Sequence, residues 1–140
     1  MTYTIGVDLG KKGGWVMIDE HKEIYTYQAN EIPPRMDLHP CITYVEEPLK
    51  YRRGTNVKAL TDMWKSYGIL IGTCQERGQG LISVTYHSWA RVMLGGGKYS
   101  ASVRCRELWP DNPEIAAHEG LADAALIAYY GSMLEAKKSG

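Results

Sequence analysis

The order of strand and helix patterns along the chain restricts its fold more than any other feature. Three β-branched or alternating segments come first, at residues 2–9, 15–18 and 23–28, and only short turns separate them. Consecutive strands with short turns pair as an antiparallel meander. A fourth apolar run, Ile42 to Val45, follows a proline-containing loop and predicts a buried strand.

Helical patterns dominate the rest of the chain. Thr55 or Asn56 is the predicted cap of a long helix that runs to Arg77, where Gly78-Gln79-Gly80 ends it. The patterns that follow predict a strand at Leu81–Tyr86, a short helix from Ser88 to Leu94, a helix at Ala101–Leu108, a loop at Trp109–Pro113 and a last helix from Glu119 to Ala136. The resulting order, β-β-β-β-α-β-α-α-α, predicts an α/β fold in which helices flank a mixed five-stranded sheet.

The long helix carries an apolar stripe whose members are three and four residues apart. This stripe comprises Val57, Leu60, Trp64, Tyr67, Ile71 and Cys74. Such spacing predicts one buried face, here packed on the sheet. Met63 and Leu70 lie off the stripe and are predicted to remain available to a partner.

Length and composition indicate a single soluble domain. The 140 residues suffice for one domain, 1–140, and are too few for two. No apolar run approaches the ~20 residues of a membrane helix, and no signal-peptide pattern opens the chain, so we expect a cytoplasmic protein. Cys41, Cys74 and Cys105 are far apart in no metal-ligand spacing and are predicted to be reduced thiols.

Charge is unevenly distributed although the formal net charge is zero. Between Lys50 and Arg106 ten basic residues stand against two acidic ones, so the middle of the chain is basic and both flanks are acidic. A basic segment of this kind is typical of a surface that binds a polyanion, although a solvated helix face would explain it equally well.

Acidic residues follow the predicted strands and open the last helix. Asp8 ends the first strand, Glu46 and Glu47 end the fourth, and Glu119 and Asp123 are four residues apart on one helix face. Carboxylates held close together repel one another and need a cation, and such oxygen ligands suit Mg²⁺ or Mn²⁺. Most of these acids also fit ordinary turns, strand ends or first helical turns, but Asp123 lies among small residues and needs a partner.

Three of these segments together resemble a known family. They are Ile5-Gly6-Val7-Asp8-Leu9-Gly10, Tyr44-Val45-Glu46-Glu47-Pro48 and His118-Glu119-Gly120-Leu121-Ala122-Asp123-Ala124-Ala125-Leu126. In this order they resemble the RuvC-like Holliday junction resolvases, above all the short members of phage type. Tyr86-His87-Ser88-Trp89-Ala90-Arg91 also looks like that group.

The resemblance implies an RNase H-like fold, a homodimer and an active site with two Mg²⁺ or Mn²⁺ ions. It implies that Asp8, Glu46 and Asp123 are catalytic metal ligands, with Glu47 as a one-residue alternative to Glu46. RuvC itself commonly has an acid three residues before the last aspartate, where this chain has Gly120.

Two residues next to Gly120 are candidates for the missing fourth ligand. Glu119 is the nearest acid and, four residues before Asp123, can face the same metal. His118 is the other candidate, as a neutral imidazole that ligates metal or orients a water, or else it is a helix-capping histidine.

The resemblance also implies residues that contact DNA. Lys50, Arg52 and Arg53 follow Glu46 closely and are predicted to hold phosphates. Tyr51 is the predicted aromatic wedge in the junction, although Leu49 has the more usual spacing. The other predicted DNA contacts are Lys11, Lys12 and Lys98.

The function implied is that of a crossover junction endodeoxyribonuclease, which resolves four-way DNA junctions by paired, metal-dependent nicks in a bacterial or phage-infected cell. Three alternatives remain open at this point. They are a non-catalytic binder of branched DNA, an RNA-processing nuclease of the same fold, and a nucleotide-binding domain of the actin and sugar-kinase type, whose phosphate loop also resembles residues 5–10.

Overall fold

A single mixed sheet organises the molecule. The computed structural model describes residues 2–33, 41–48, 54 and 56–139. The five strands are β1 (Tyr3–Asp8), β2 (Gly14–Ile18), β3 (Ile24–Ala29), β4 (Cys41–Glu46) and β5 (Gly80–Val84), and their order in the sheet is β3-β2-β1-β4-β5. β1, β2 and β3 are antiparallel neighbours, whereas β4 pairs in parallel with both β1 and β5. The predicted mixed sheet is therefore confirmed.

Five helices complete the described part of the chain. They are α1 (Val57–Arg77), α2 (Tyr86–Met93), α3 (Ala101–Leu108), α4 (Pro113–Ala117) and α5 (Glu119–Ser139). Asn56 caps α1, because its side-chain oxygen accepts a hydrogen bond from the Ala59 N–H at 3.1 Å. The predicted cap at Ser88 is wrong, since α2 is capped by Thr85 and the preceding strand already ends at Val84.

Two apolar layers cover the two faces of the sheet. On one face α2, α3, α4 and α5 bury the larger core, in which Trp89, Leu126 and Ile127 are fully enclosed. On the other face α1 contributes Leu70 and Cys74 to a smaller core with β1, β2 and β4. The sheet is therefore the middle of three layers, as the element order predicts.

Helix α5 packs directly against the backbone of β1. A Cβ atom on Gly6 would overlap the backbone of Ala124 and Ala128, so only glycine allows this approach. Gly131 stands in a similar relation to the ring of Tyr44. The small residues of α5 thus allow close packing, as the sequence predicts. They allow the short distance between the α5 backbone and the β1 backbone.

The predicted apolar stripe of α1 is only partly correct. Cys74 is buried, but Val57 is 60% exposed and Trp64 is 40% exposed. Leu70, predicted to be available to a partner, is 1% exposed and packs on the sheet. The reason is that only the C-terminal half of α1 covers the sheet.

All three cysteines are free thiols, as predicted. Burial raises the pKa of Cys105 to about 12, with a smaller contribution from the negative charge of Asp123. Across the ranges that the structure describes, no helix is long and apolar enough to cross a membrane.

Candidate active site

Two acids meet at one edge of the sheet because two neighbouring strands run in the same direction. β1 and β4 are parallel, and Val7 is opposite Val45, so the acids that follow, Asp8 and Glu46, end adjacent strands side by side. Both are partly buried. Parallel strands bring their carboxyl ends to one edge, where loops leave room for a ligand.

Asp8 is held by the turn that follows β1. Its Oδ1 accepts a hydrogen bond of 3.0 Å from the Gly10 N–H. Burial raises the pKa of Asp8, the bond from Gly10 opposes this rise, and the negative charge of Glu119 adds to it. One carboxylate oxygen is thus fixed by the backbone.

Glu46 is held by a tryptophan from α2. The indole N–H of Trp89 donates a 2.8 Å hydrogen bond to Glu46 Oε1, and the indole is fully buried. Burial raises the pKa of Glu46, the bond from Trp89 lowers it, and the charge of Asp8 raises it. Sequence reasoning did not assign a role to Trp89, because nothing local pairs two residues 43 positions apart.

Replacing Trp89 by phenylalanine is expected to raise the pKa of Glu46 in metal-free protein. The variant keeps an aromatic ring in the core but loses the donor that stabilises the ionised carboxylate. Carbon-detected NMR titration of the Glu46 carboxyl measures the change. Trp109→Phe is the matched control, because the buried indole of Trp109 donates at 2.8 Å to the Lys22 carbonyl instead. Equal Glu46 titration curves for wild type and Trp89→Phe would contradict this role.

α5 adds two further acids to the same edge. Burial, and then the negative charges of Asp8, Glu46 and Glu119 in that order, together raise the pKa of Asp123 to about 7. Glu119 lies one turn earlier, at the exposed start of the helix. The predicted acids Asp8, Glu46, Glu119 and Asp123 therefore act on one another electrostatically, whereas Glu47 is exposed.

The glycine at position 120 has a structural cause. A Cβ atom on Gly120 would overlap the carbonyl of Lys12 in the β1–β2 turn. No side chain fits at this position, so an acid on this turn of α5 must occupy a neighbouring position. Glu119 is that neighbour, and its charge reaches both Asp8 and Asp123.

His118 caps helix α5. Its Nδ1 accepts a 3.1 Å hydrogen bond from the Leu121 N–H, and its carbonyl accepts one of 2.8 Å from the Ala122 N–H. This arrangement matches the helix-capping alternative for His118. Its positive form would still act on Asp8, whose pKa it lowers slightly.

The acidic cluster suits a divalent cation by its chemistry. Carboxylate oxygens are the ligands that Mg²⁺ and Mn²⁺ prefer. Burial, and after it mutual repulsion, raises the pKa of Asp8, Glu46 and Asp123, and a bound cation would favour their ionised forms. Within the described residues, no three His, Cys, Asp or Glu side chains approach closely enough to form a ready-made metal site. Asp8 and Glu46 each have one oxygen bonded to a protein donor, and among the described residues no donor is bonded to the second oxygen of either side chain.

Only some of the residues predicted to contact DNA lie in the part of the chain that the structure describes. Lys11 and Lys12 are exposed in the turn directly after Asp8, and Lys98 is exposed in the glycine-rich turn after α2. Lys50, Tyr51, Arg52 and Arg53, together with Leu49, lie outside the described residues.

Comparison with known proteins identifies the fold. No protein-family model matches the sequence, and no curated protein sequence matches it. Thermus thermophilus RuvC in complex with Holliday junction substrate matches with a TM-score of 0.68 and 13% identity, covering 100% of this chain and 97% of that one. Another Thermus thermophilus RuvC structure matches with a TM-score of 0.60 and 15% identity, over 94% of this chain and 96% of that one. The chain therefore has the RuvC fold, of the RNase H-like class.

Proposed function

We propose that this protein is a metal-dependent endonuclease that resolves four-way DNA junctions and other branched DNA in the cytoplasm of a bacterial or phage-infected cell. One observation carries the proposal: Asp8, Glu46 and Asp123 converge at one sheet edge of a chain with the RuvC fold. That fold has been solved with a Holliday junction bound, and the basic middle of this chain supplies charges for a polyanion.

Each acid has a role that follows from its surroundings. Asp8, Glu46, Glu119 and Asp123 would hold two Mg²⁺ or Mn²⁺ ions, which would supply an activated water and charge stabilisation for the leaving oxygen of a phosphodiester. Asp8 and Glu46 are held by Gly10 and Trp89, so their remaining oxygens are oriented in advance. Asp123, with a pKa of about 7, is ready to ionise beside a cation.

The test uses purified protein, a labelled four-way junction and a linear duplex of matched sequence, with Mg²⁺, with Mn²⁺ and with chelator. We expect paired nicks on the junction that need metal. Glu46→Gln is expected to lower cleavage more than about a hundredfold, since even outer-shell partners of metal ligands are worth 10–100-fold. Glu47→Gln is the matched control and is expected to retain activity, because Glu47 is exposed and outside the acidic cluster.

Other outcomes identify other functions. Tight, salt-sensitive binding of the junction without cuts in either metal would indicate a non-catalytic binder. Preferential cleavage of RNA would indicate an RNA-processing nuclease. Loss of activity in Glu47→Gln with full activity in Glu46→Gln would mean that Glu47, and not Glu46, is the metal ligand.

We also infer that the active form is a homodimer, since paired nicks require two active sites. Val57 and Trp64 are two turns apart on one side of α1 and are 60% and 40% exposed. Trp64→Glu is expected to convert the dimer to a monomer, because burying a charge in an apolar contact is unfavourable. Sedimentation velocity measures this. A monomeric wild type, or a Trp64→Glu variant that still dimerises fully, would contradict this surface.

A further inference from the structure

A cleft opens beside the carboxylates, on the face of the sheet that α5 covers. Its volume is about 870 Å³, within the ~300–1,000 Å³ of pockets that enclose small ligands. Its lining includes Glu119 and Asp123 of the acidic cluster together with Tyr86, Tyr99 and Arg106. The cleft is therefore continuous with the candidate active site and extends beyond it.

Two tyrosine rings in this cleft are exposed although neighbouring groups hold them. Tyr86 is 52% exposed and meets the ring of Trp89 edge to face, with centroids 5.3 Å apart. Tyr99 is 41% exposed, and the guanidinium of Arg104 lies 5.7 Å from its ring centroid. Rings that are held but still open to solvent can stack on a planar ligand with little loss of side-chain entropy.

The backbone beneath Tyr99 brings its ring close to the turn. Gly95 has a φ of +59°, and a Cβ added there would lie 3.3 Å from the Tyr99 ring. The Tyr99 N–H donates to the Leu94 carbonyl at 3.1 Å. The ring position is thus set by the glycine turn after α2.

The polar groups of the cleft divide by charge. Arg106 is exposed on α3, and Ser100 and Ser102 also line the cleft, so the lining includes side chains of the kinds that commonly contact phosphate oxygens. Glu119 and Asp123 would repel an unneutralised phosphate. A ligand with a phosphate near Arg106 and a flat apolar ring against the tyrosines satisfies both parts.

We propose that this cleft is a subsite for an unpaired nucleobase of the DNA strand, stacked against Tyr99 and Tyr86, with a neighbouring phosphate at Arg106. The proposal rests on the proposed function, since it assigns the cleft to the strand being cut. A base inside a duplex has both faces covered by its neighbours, whereas an unpaired base offers them. The subsite therefore favours branched or opened DNA over intact duplex.

Fluorescence titration tests the subsite on the full-length protein. The probe is a short single-stranded DNA containing 2-aminopurine, whose emission falls on stacking, with Ca²⁺ in place of Mg²⁺. We expect Tyr99→Ala to weaken binding about tenfold and to remove the quenching, in line with the worth of base–aromatic stacking. Tyr99→Phe is expected to match wild type, because the ring remains, and Tyr99→Leu to resemble Tyr99→Ala.

Val103→Ala is the matched control, since Val103 is 42% exposed on the same helix as Arg106 and is not part of the cleft lining. Melting curves verify that each variant folds, and Tyr86→Ala provides a second position. Unchanged affinity and quenching in Tyr99→Ala and Tyr86→Ala, or a wild type that does not bind the probe, would overturn the subsite.

Junction cleavage by the same preparations in Mg²⁺ separates this inference from the proposed function. If wild type cuts junctions and the tyrosine variants bind the probe normally, the proposed function is supported and the subsite is rejected. If probe binding depends on Tyr99 but wild type cuts no DNA, the subsite is supported and the proposed function is rejected.

Discussion

Replacement of Asp123 by asparagine is expected to abolish metal-dependent cleavage and, at the same time, to stabilise the metal-free protein at about pH 8. The loss of activity should exceed about a hundredfold, because a direct ligand is worth at least as much as the outer-shell partners that contribute 10–100-fold. The gain in stability follows from the crowding of carboxylates around Asp123, whose pKa burial and then the charges of Asp8 and Glu46 raise to about 7.

The direction of the pH dependence follows from linkage. The pKa of Asp123 is higher in the folded chain than the ordinary aspartate value of 3.8, so the folded state binds a proton more tightly. This contribution to stability is complete below the unfolded pKa and is lost as pH rises through about 7. Metal-free wild type should therefore melt higher at about pH 5 than at about pH 8, with all other groups held equal.

The asparagine variant removes this dependence. We expect its melting temperature at about pH 8 to exceed that of wild type by roughly 3–8 °C, which corresponds to about 1–2 kcal/mol after allowance for partial solvent screening. Calorimetry with chelator measures the difference. Asp111→Asn, a change at an exposed acid between α3 and α4, is the control and should alter neither quantity. An Asp123→Asn protein that cuts DNA or that melts lower would contradict the assignment.

Gly6→Ala is expected to have the largest effect on the fold. The added methyl group would overlap the backbone of Ala124 and Ala128, and neither a strand nor a helix backbone can yield locally. Because the overlap is this severe, we expect Gly6→Ala to lower the free energy of unfolding by about 4 kcal/mol or more. Urea unfolding followed by circular dichroism measures it.

Gly72→Ala is the matched control for the same chemical change. Gly72 is exposed within α1, and nothing lies within 4 Å of an added Cβ atom there. Alanine is the better helix former, so this variant should gain about 0.5–1 kcal/mol. Equal effects at the two glycines would mean that α5 does not lie on β1 as closely as described.

Much of the fold could be predicted because its signals are local. The strand patterns, the cap at Asn56 and the glycine-rich stop after Arg77 each act over a few residues. α4 has no counterpart in the prediction because it is only five residues long, too short to show helical periodicity, although Pro113 and Glu114 lie in its first turn. The error at Ser88 arose because Thr85 and Ser88 both carry hydroxyl groups three residues apart, and their side chains bond to each other at 2.7 Å.

The acids of the candidate site could be predicted from the sequence, but the residues that surround these acids could not. Asp8 and Glu46 were identifiable because each directly follows an apolar strand. The donor to Glu46 and the cleft residues Tyr86 and Tyr99 come from α2 and the turn after it, and only the folded chain brings them to the site. The exposure of Val57 and Trp64 depends on where α1 leaves the sheet, which periodicity does not reveal.

The contact between Gly6 and α5 has a consequence for how the protein is made. It joins segments more than a hundred residues apart, and together with the contact between Gly120 and Lys12 it brings Asp123 to the same sheet edge as Asp8. At synthesis rates of about 5–20 residues per second, the two aspartates emerge several seconds apart. Long-range contacts of this kind also form slowly. A nascent chain therefore has the strands and the first acids early, but it has no complete acidic cluster until α5 is synthesised.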